Sequence, residues 1–381
     1  MNHDGDSPRT LIIHGGMHKT GTSAIQKFLH EELDHPKFEY LTVGKVNSSL
    51  IVLECFHRRL AQLPHYPAEQ FTNNDLVRLG EKARKRFIRR MRETTKENVV
   101  LSAESFTLLD RDECADFLDV VSESFSTVKL VLYVRPVRER IESAFQQKLK
   151  RRLVELDRRI KPNFKQRISE YDQIFGRENV TVRCFDPSAF AGGNVVNDFL
   201  ETLGLPIHAK NESRANVGLS LPAVQLLYVY RQQFNVAIPE DTNLIQRLET
   251  LEGDSFRMHQ DLLDRILMDR IERFTRIRTW LEKLGTWVGI DVHLKHGPLH
   301  RLFLRSNDNY RWLEKRTGIS VVSHARDESS GVNTEEDLVS IPDDSLNWLQ
   351  QQAEIDFQFV PQERPDSTVI AENLRKLALS I

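Results

Sequence analysis

Residues 11 to 23 read LIIHGGMHKTGTS, an apolar run that ends in two glycines and a cluster of polar residues. The cluster places a lysine and three hydroxyl side chains around a further glycine, at Lys19, Thr20, Gly21, Thr22 and Ser23. A strand, a glycine turn and a following helix would direct backbone N–H groups and a helix N-terminus at an anion. A turn that uses glycine for geometry alone needs neither the lysine nor the hydroxyl groups. The segment therefore predicts a binding site for a phosphate or a similar anion.

The glycine spacing is close to that of a Walker A loop, GxxxxGK[ST], but the lysine is displaced. Gly16 to Ser23 reads GMHKTGTS, which keeps both glycines and the final hydroxyl and has Thr22 where the lysine belongs. The lysine is Lys19, inside the loop. Because the Walker lysine normally reaches the β and γ phosphates of a nucleoside triphosphate, this displacement favours an anion binder other than an ordinary ATPase.

A second candidate anion site lies in the segment VKLVLYVRPVRERIESAFQQKLK. Arg135 stands at the end of its apolar run, and Pro136 suits the first turn of a helix. The apolar residues of that helix form one stripe, and Ser143 projects from the opposite, polar face. Arg135 and Ser143 are therefore candidates to bind one anion together, whereas Ser143 taken alone is more typical of a solvated helix face.

The positions of these residues depend on five short apolar segments that are predicted to be parallel strands. The segments alternate with longer helix-like stretches, which indicates an α/β fold with a parallel sheet. Ligands bind at the carboxyl ends of the strands in such sheets. The predicted strands are Thr10 to Gly15, Glu39 to Val43, Val99 to Ala103, Val128 to Val134 and Val180 to Cys184.

The C-terminal part has a different pattern. From Leu221 onward the pattern becomes helical, and beyond Ser320 the chain turns acidic and polar, as in DESSGVNTEED. A unit of this α/β type often exceeds ~200 residues. We therefore predict one domain over residues 1–320 and an appendage of unknown role over residues 321–381.

Composition narrows the class of protein. The 53 basic and 55 acidic residues give a formal net charge of -2, which favours neither nucleic acid nor an anionic membrane as partner. The three cysteines lie far apart without CxxC spacing, which argues against a zinc site and fits a reducing compartment. No apolar run approaches the ~18 residues that cross a bilayer. We expect a cytoplasmic protein without a transmembrane segment.

One basic run, EKARKRFIRRMRETTK from Glu81 to Lys96, has two interpretations. The simpler one is a solvated helix, and the other is a rim that attracts an anionic acceptor. Nucleic acid is disfavoured, because no stacking aromatic residue other than Phe87 is interleaved in the run.

The segments HGGMHKTGTSAIQKFL and YVRPVRERIESAF together resemble the sulfotransferase family that uses 3′-phosphoadenosine 5′-phosphosulfate (PAPS), especially its bacterial carbohydrate-modifying branch. The similarity continues through RCFDPSAFAGGNVVNDFLETLGL and covers most of residues 9–316. It implies a P-loop-type three-layer fold, with a central, mainly five-stranded parallel sheet flanked by helices and a helical C-terminal part. The loop departs from the family by ending in GTS where GTT is commoner, a change that keeps the hydroxyl.

The resemblance also implies roles for individual residues. In this family the KTGT loop binds the 5′-phosphosulfate, and an Arg, seven intervening residues and a Ser bind the 3′-phosphate, an interval that Arg135 and Ser143 match. The base that deprotonates the acceptor lies near the end of the third strand, where VVLSAESF offers Glu104, and His18 is the rival base. His14 is expected to be a packed or hydrogen-bonded residue. The loop residues implied in phosphosulfate binding are Gly16, Lys19, Thr20, Gly21, Thr22 and Ser23.

We therefore predict a sulfotransferase that uses PAPS as co-substrate, needs no metal, and transfers the sulfuryl group in line to an acceptor hydroxyl. A carbohydrate acceptor is favoured by family likeness alone. Two alternatives remain, a nucleotide or metabolite kinase with an altered P-loop and a non-catalytic nucleotide-binding protein. The displaced lysine argues against the kinase, and the retained Lys19 and Glu104 argue against the non-catalytic protein.

Overall fold

The chain divides into two units. One unit comprises Met1–Pro136, Asn163–Asn216 and Trp312–Val321, and the other comprises Val137–Pro162, Val217–Arg311 and Val322–Ile381. The computed structural model describes residues 8–16, 20–63, 65–67, 69–135, 137–156, 164–206, 218–259, 262–263, 266, 312–318, 331–353 and 364–380.

Five strands form one parallel sheet in the first unit. They are β1 (Thr10–Gly16), β2 (Phe38–Tyr40), β3 (Asn98–Ser102), β4 (Thr127–Val134) and β5 (Val180–Cys184). Their order is β2-β3-β1-β4-β5, so β1 lies at the centre. Three of the five strands, β1, β3 and β4, are mostly buried along their length, as expected for a parallel sheet that is covered on both faces, whereas buried and more exposed residues alternate in β5. The predicted α/β fold with a five-stranded parallel sheet is thereby confirmed.

The second strand is shorter than predicted. The prediction was Glu39 to Val43, whereas β2 ends at Tyr40. The N–H of Leu41 still bonds to the Val100 carbonyl (2.8 Å). The next carbonyl of β3 that faces this edge is that of Ser102, and it accepts from the N–H of Ser48 (3.0 Å). The chain leaves the edge of the sheet after Tyr40 because Ser48 has taken the bond that would have continued the ladder.

Helices cover both faces of this sheet and build the second unit. The α-helices are α1 (Thr22–Glu31), α2 (Ser49–Phe56), α3 (Asn73–Arg92), α4 (Arg111–Ser122), α5 (Val137–Leu149), α6 (Phe164–Phe175), α7 (Val195–Thr202), α8 (Leu221–Gln233), α9 (Asp241–Leu248), α10 (Glu335–Val339), α11 (Asp343–Ala353) and α12 (Ser367–Leu379). Residues 312–317 form a further helical segment.

The first unit has three layers. Successive side chains of a strand point to opposite faces of a sheet, and one face of this sheet packs against α1 and α7 through Ile12, Val100, Val131 and Tyr133. On the other face, α4 and α6 contact β4, and α6 also contacts β5. The rings of Phe106, Phe117 and Tyr171 pack together there. The sheet is thus flanked by helices on both sides.

The second unit is helical and has its own core. The middle of α8 is buried on every side, as expected of a helix at the centre of a bundle. Its Arg231 is fully buried, pairs with Asp241 (2.7 Å) and donates to the carbonyls of Leu149 (3.0 Å) and Lys150 (2.8 Å) at the end of α5. A buried charge is tolerated when its donors are satisfied in this way.

The C-terminal residues belong to this helical core. Buried side chains of α12 pack with α8 and α9, and α10 and α11 also pack against α8. The helical C-terminal part was therefore predicted correctly. The domain boundary at residue 320 stays a prediction, although the described residues beyond it share the apolar core of the second unit.

Candidate functional site

The carboxyl edge of the sheet collects most of the candidate residues of the first unit. β1 lies between β3 and β4, with His14 in register with Ser102 and Gly16 in register with Tyr133. Glu104 comes two residues after Ser102, and Arg135 two residues after Tyr133. Glu104, the loop after Gly16 and Arg135 therefore follow three adjacent strands at one edge, where open α/β sheets bind ligands.

The N-terminus of α1 has the properties of an anion site. Gly21 is its N-cap, with φ 73° and ψ 12°, and in the described part of the chain no side chain caps the helix. Its first turn contains no acidic residue. The N–H groups of Ala24 (3.0 Å) and Ile25 (3.2 Å) bond to the Gly21 carbonyl, whereas the preceding N–H groups of a helix have no intrahelical partner. The positive end of the helix dipole is thus left for a negative ligand.

Both glycines of the Walker-like spacing have a steric reason. A Cβ on Gly21 would lie 2.6 Å from Cγ1 of Val195 and 3.2 Å from Cε2 of Phe185, and its positive φ is unfavourable for other residues. A Cβ on Gly16 would lie 2.7 Å from the Thr22 hydroxyl and 2.9 Å from the Thr20 hydroxyl. Only glycine lets the strand end and the start of α1 approach this closely.

The loop hydroxyls differ in burial and in hydrogen bonding. Thr20 is fully buried and Thr22 is 4% exposed, while Ser23 is exposed on the first turn of α1. Among the described residues, Thr22 Oγ1 has no hydrogen-bond partner. A buried hydroxyl without a partner costs about 1–3 kcal/mol, so such a group calls for a ligand or another partner. Lys19 and His18 lie outside the described residues.

Arg135 and Gly21, the N-cap of α1, share an aromatic neighbour, Phe185. The guanidinium carbon of Arg135 lies 5.5 Å from the ring centroid of Phe185, which is the cation–π range. Phe185 follows β5, and its N–H bonds to the Val134 carbonyl (2.7 Å) at the end of β4. Because the Phe185 ring also packs against Gly21, it lies beside both Arg135 and the N-terminus of α1.

Phe185 is a residue that the sequence analysis missed. It is the first residue after a predicted strand, as are Arg135 and Glu104. An aromatic residue at that position resembles core packing, so its type gave no signal. Its position directly after a predicted strand would have been sufficient to include it among the candidate site residues.

Ser143 and Arg135 belong to different units of the chain. Ser143 lies on α5 in the second unit and is half-buried. The joint binding of one anion by Arg135 and Ser143 therefore stays a prediction from their sequence interval.

Glu104 has a well-anchored backbone. It is the first residue of a 3-10 helix, Glu104–Leu108, and its side chain is half-buried. On one side, the N–H of Ala103 bonds to the His14 carbonyl (2.9 Å) of β1. On the other, Ser105 N–H donates to the Ser49 hydroxyl (3.0 Å), and Phe106 is fully buried. The carboxylate is thus carried by a segment that is fixed to the sheet on one side and to α2 on the other.

His14 is a packed residue, as expected. It is fully buried, its Nδ1 lies 2.9 Å from the Ser102 hydroxyl, and its ring contacts Tyr133 and Phe199. Burial lowers the pKa of His14 to about 3, because the charged imidazolium would lose its hydration. The ring is therefore neutral at physiological pH and belongs to the core beneath the loop.

The basic run forms most of α3, and its arginines are largely paired. Arg84 binds Asp116 through two bonds of 2.7 Å, Arg90 pairs with Glu39 (3.2 Å) and Arg92 with Glu123 (3.2 Å). The opposite face of the helix is apolar and buried. These pairs join α3 to its neighbours, which supports the interpretation as a solvated, packed helix.

The described residues show neither a metal-binding cluster nor a membrane-spanning helix. No group of three or more His, Cys, Asp or Glu side chains in these residues is arranged to hold a metal ion. None of the described helices is long and apolar enough to cross a bilayer.

Comparisons with known proteins show limited sequence and structural similarity. No protein-family model matches the sequence. An uncharacterized protein from Archaeoglobus fulgidus is 25% identical over 197 residues, which cover 49% of this chain and 54% of that protein, so the match spans about half the length of this curated relative. A solved structure of a sulfotransferase from Alicyclobacillus acidocaldarius aligns with 75% of this chain and 98% of its own, at 16% identity and a TM-score of 0.33. Function must therefore be inferred from the site itself.

The close contact at Gly21 makes a testable prediction about stability. Gly21→Ala should lower the free energy of unfolding by roughly 2–5 kcal/mol, because it adds the strain of a left-handed residue to overpacking against Val195. Gly44 is the matched control, since it also has a positive φ (85°) but no described atom within 4 Å of its Cβ position. Gly44→Ala should cost only the backbone strain, about 1–2 kcal/mol. Chemical denaturation of both variants checks this, and equal losses would show that Val195 gives way without cost.

Proposed function

We propose that this chain is a sulfotransferase that transfers a sulfuryl group from PAPS to an acceptor hydroxyl. The observation that carries the proposal is the convergence of three features at one sheet edge. These are the uncapped N-terminus of α1 with the buried Thr22 hydroxyl, the Arg135 guanidinium on Phe185, and the Glu104 carboxylate. Two separate cationic or N–H-rich features suit a nucleotide with phosphates at both ends of its ribose.

The loop after β1 would hold the 5′-phosphosulfate. Glycine at positions 16 and 21 permits close packing at the start of α1, and the Thr22 hydroxyl, unpaired among the described residues, is a donor for an anionic oxygen. The first-turn N–H groups of α1 add donors and a positive dipole end. Lys19, which is part of the loop sequence, would add the positive charge that stabilises the leaving phosphate. The loop residues in this role are Gly16, Lys19, Thr20, Gly21, Thr22 and Ser23.

Arg135 would bind the 3′-phosphate. A guanidinium forms strong, charge-assisted bonds with phosphate oxygens, and the stacking of Arg135 on Phe185 limits its freedom before a ligand arrives. Ser143 would share this phosphate, an assignment that rests on the sequence interval and the family resemblance. The donor specificity of the enzyme would then depend on the 3′-phosphate.

Glu104 would take the proton from the acceptor hydroxyl. A general base must lie within hydrogen-bond reach of that hydroxyl, and the fixed backbone around Glu104 suits such a role. His18 is the alternative base. Since a sulfuryl group carries less negative charge than a phosphoryl group, positioning and fixed positive charge suffice, and we propose that no metal is required.

The proposal also covers the acceptor and the cellular location. We propose a carbohydrate acceptor because of the resemblance to the carbohydrate-modifying branch. The three cysteines are buried thiols, as suits the reducing cytoplasm. A screen of saccharide acceptors with sulfur-labelled PAPS tests the acceptor class, and transfer to none of them would remove the carbohydrate proposal.

The first functional prediction separates the sulfotransferase from a kinase. The purified protein should bind 3′-phosphoadenosine 5′-phosphate (PAP), the desulfated product, in the presence of a chelator, and should bind ATP much more weakly. The reason is that Arg135 is expected to need a 3′-phosphate, which ATP lacks. Isothermal titration calorimetry measures both affinities. Tight ATP binding that depends on Mg²⁺ would instead support a nucleotide or metabolite kinase.

The second prediction assigns Arg135 to the 3′-phosphate. Arg135→Ala should weaken PAP binding about tenfold to a hundredfold, because a charge-assisted hydrogen bond contributes roughly 1.5–3 kcal/mol. Adenosine 5′-phosphate lacks the 3′-phosphate and is the matched control ligand, so its affinity should change little. Equal losses for the two nucleotides would assign Arg135 to the fold or to the other phosphate.

The third prediction concerns the base. Glu104→Gln keeps the size of the side chain but removes proton acceptance, so single-turnover transfer should slow by ~10² to 10⁴. PAP affinity should be nearly unchanged. Lys19→Ala, by contrast, should reduce both affinity and transfer, because it removes charge beside the phosphosulfate.

His18→Asn is the control for the rival base. An inactive His18→Asn together with an active Glu104→Gln would move the base into the loop. Activity in both variants would place it on another segment.

A further inference from the structure

A buried hydrogen-bonded cluster lies directly beneath the candidate site. The Ser102 hydroxyl lies 2.9 Å from Nδ1 of His14, and Nε2 of Gln26 donates to it over 3.1 Å. Ser102 and His14 are fully buried, and Gln26 is 5% exposed. One hydroxyl at the end of β3 thus joins β1 and α1, and all three residues belong to the first unit.

Each member of the cluster is close in sequence to one part of the site. Ser102 is two residues before Glu104, and Gln26 is one helical turn after Thr22. His14 is two residues before Gly16, so their side-chain directions share one face of β1. That face packs against α1. The cluster therefore connects the strand end that carries Glu104 with the helix whose N-terminus faces the ligand.

The bond between Gln26 and Ser102 has a distinct place in the packing of α1. In the part of the chain that the structure describes, this bond links α1 to the sheet through side chains, and Ala24, Ile25, Phe28 and Leu29 add apolar packing. Apolar packing is not directional, so it defines the position of a helix along its axis less sharply. A hydrogen bond has a narrow range of length and angle, so it fixes that position.

We propose that Gln26 and Ser102 are positioning residues that set the distance between the N-terminus of α1 and Glu104. This inference rests on the proposed function. Gln26 acts through the register of α1 on the sheet, and Ser102 acts through its bond to Gln26 and its place two residues before Glu104. Neither side chain touches the substrate, and the cluster would align the phosphosulfate site with the base.

Gln26→Met is the principal test. Methionine has a similar length and helix propensity and lacks the N–H donor, so it removes the bond and keeps the volume. We expect single-turnover transfer from sulfur-labelled PAPS to slow about tenfold to a hundredfold, since a displacement near 1 Å has this effect. PAP affinity should change less than about threefold, because the loop moves together with α1.

Ile25→Val is the matched control on the same helix. Ile25 is fully buried against the sheet, so the loss of one methyl group should cost stability without touching the hydrogen bond. Transfer by Ile25→Val should stay within about twofold of the parent rate once the protein is folded. A loss comparable to that of Gln26→Met would mean that stability alone explains the effect, and the proposal would be wrong.

A double-variant cycle identifies the residue through which Gln26 acts. With Glu104→Gln already present there is no base to misplace, so adding Gln26→Met should slow transfer by no more than about twofold further. Equal slowing by Gln26→Met in both backgrounds would overturn the proposal. Ser102→Ala should behave like Gln26→Met, and it replaces that variant in the cycle if Gln26→Met does not fold.

Hydrogen exchange gives a readout that does not depend on the proposed function. In the ligand-free protein, amides in the first turns of α1 should exchange faster in Gln26→Met than in Ile25→Val, because only the former loses its anchor on β3. Equal exchange in the two variants would overturn the positioning role. If the parent protein neither binds PAP nor transfers sulfate, the proposed function fails, while this comparison still decides whether the cluster anchors α1.

Discussion

The hydrogen-bond register of β1 between β3 and β4 determines where every candidate side chain of the first unit lies. Because the side-chain period of a strand is two residues, a shift of one residue would turn Ile12, His14 and Gly16 to the opposite face of the sheet. The helix α1 would then meet the side chains that now pack against Phe106. Core packing opposes this shift, since it would take His14 away from the Ser102 hydroxyl and bring its imidazole into the apolar face around Phe106. The alignment of Glu104, the loop and Arg135 is therefore a consequence of core packing.

The same packing gives the candidate site its electrostatic character. The start of α1 is fixed by the contact of Gly21 with Val195 on α7, and Arg135 is fixed by Phe185 after β5. Donors held on rigid elements need little reorganisation when charge develops on a ligand, which is the main source of electrostatic catalysis. The groups that we propose to bind the two ends of a nucleotide thus derive their geometry from different strands of one sheet.

Four of the five strands could be located from the sequence to within one residue at either end, because each is a short apolar or β-branched segment between helix-like stretches. The second strand was wrong at its C-terminal end, since a backbone bond from Ser48, distant in sequence, ends the ladder. Glu104 and Arg135 could be placed at the sheet edge by the alternation of strands and helices. The contacts of Phe185 with Arg135 and Gly21 and the bond of Gln26 to Ser102 could not be predicted, because they join distant segments. The burial of Arg231 and of the C-terminal helices in one core is invisible to local composition for the same reason.

Residue 21 shows how stability and ligand recognition oppose each other in this protein. A serine or aspartate at a helix N-cap is typically better than glycine by roughly a few tenths of a kcal/mol, so a glycine there leaves α1 slightly less stable than it could be. A side chain at this position would collide with Val195, and an aspartate would also bring a negative charge to the point where an anion is expected. Selection for thermal stability alone would favour a capping side chain with a rearranged α7. The proposed anion recognition would keep the glycine, so a library selected for thermal stability together with activity should leave this position unchanged.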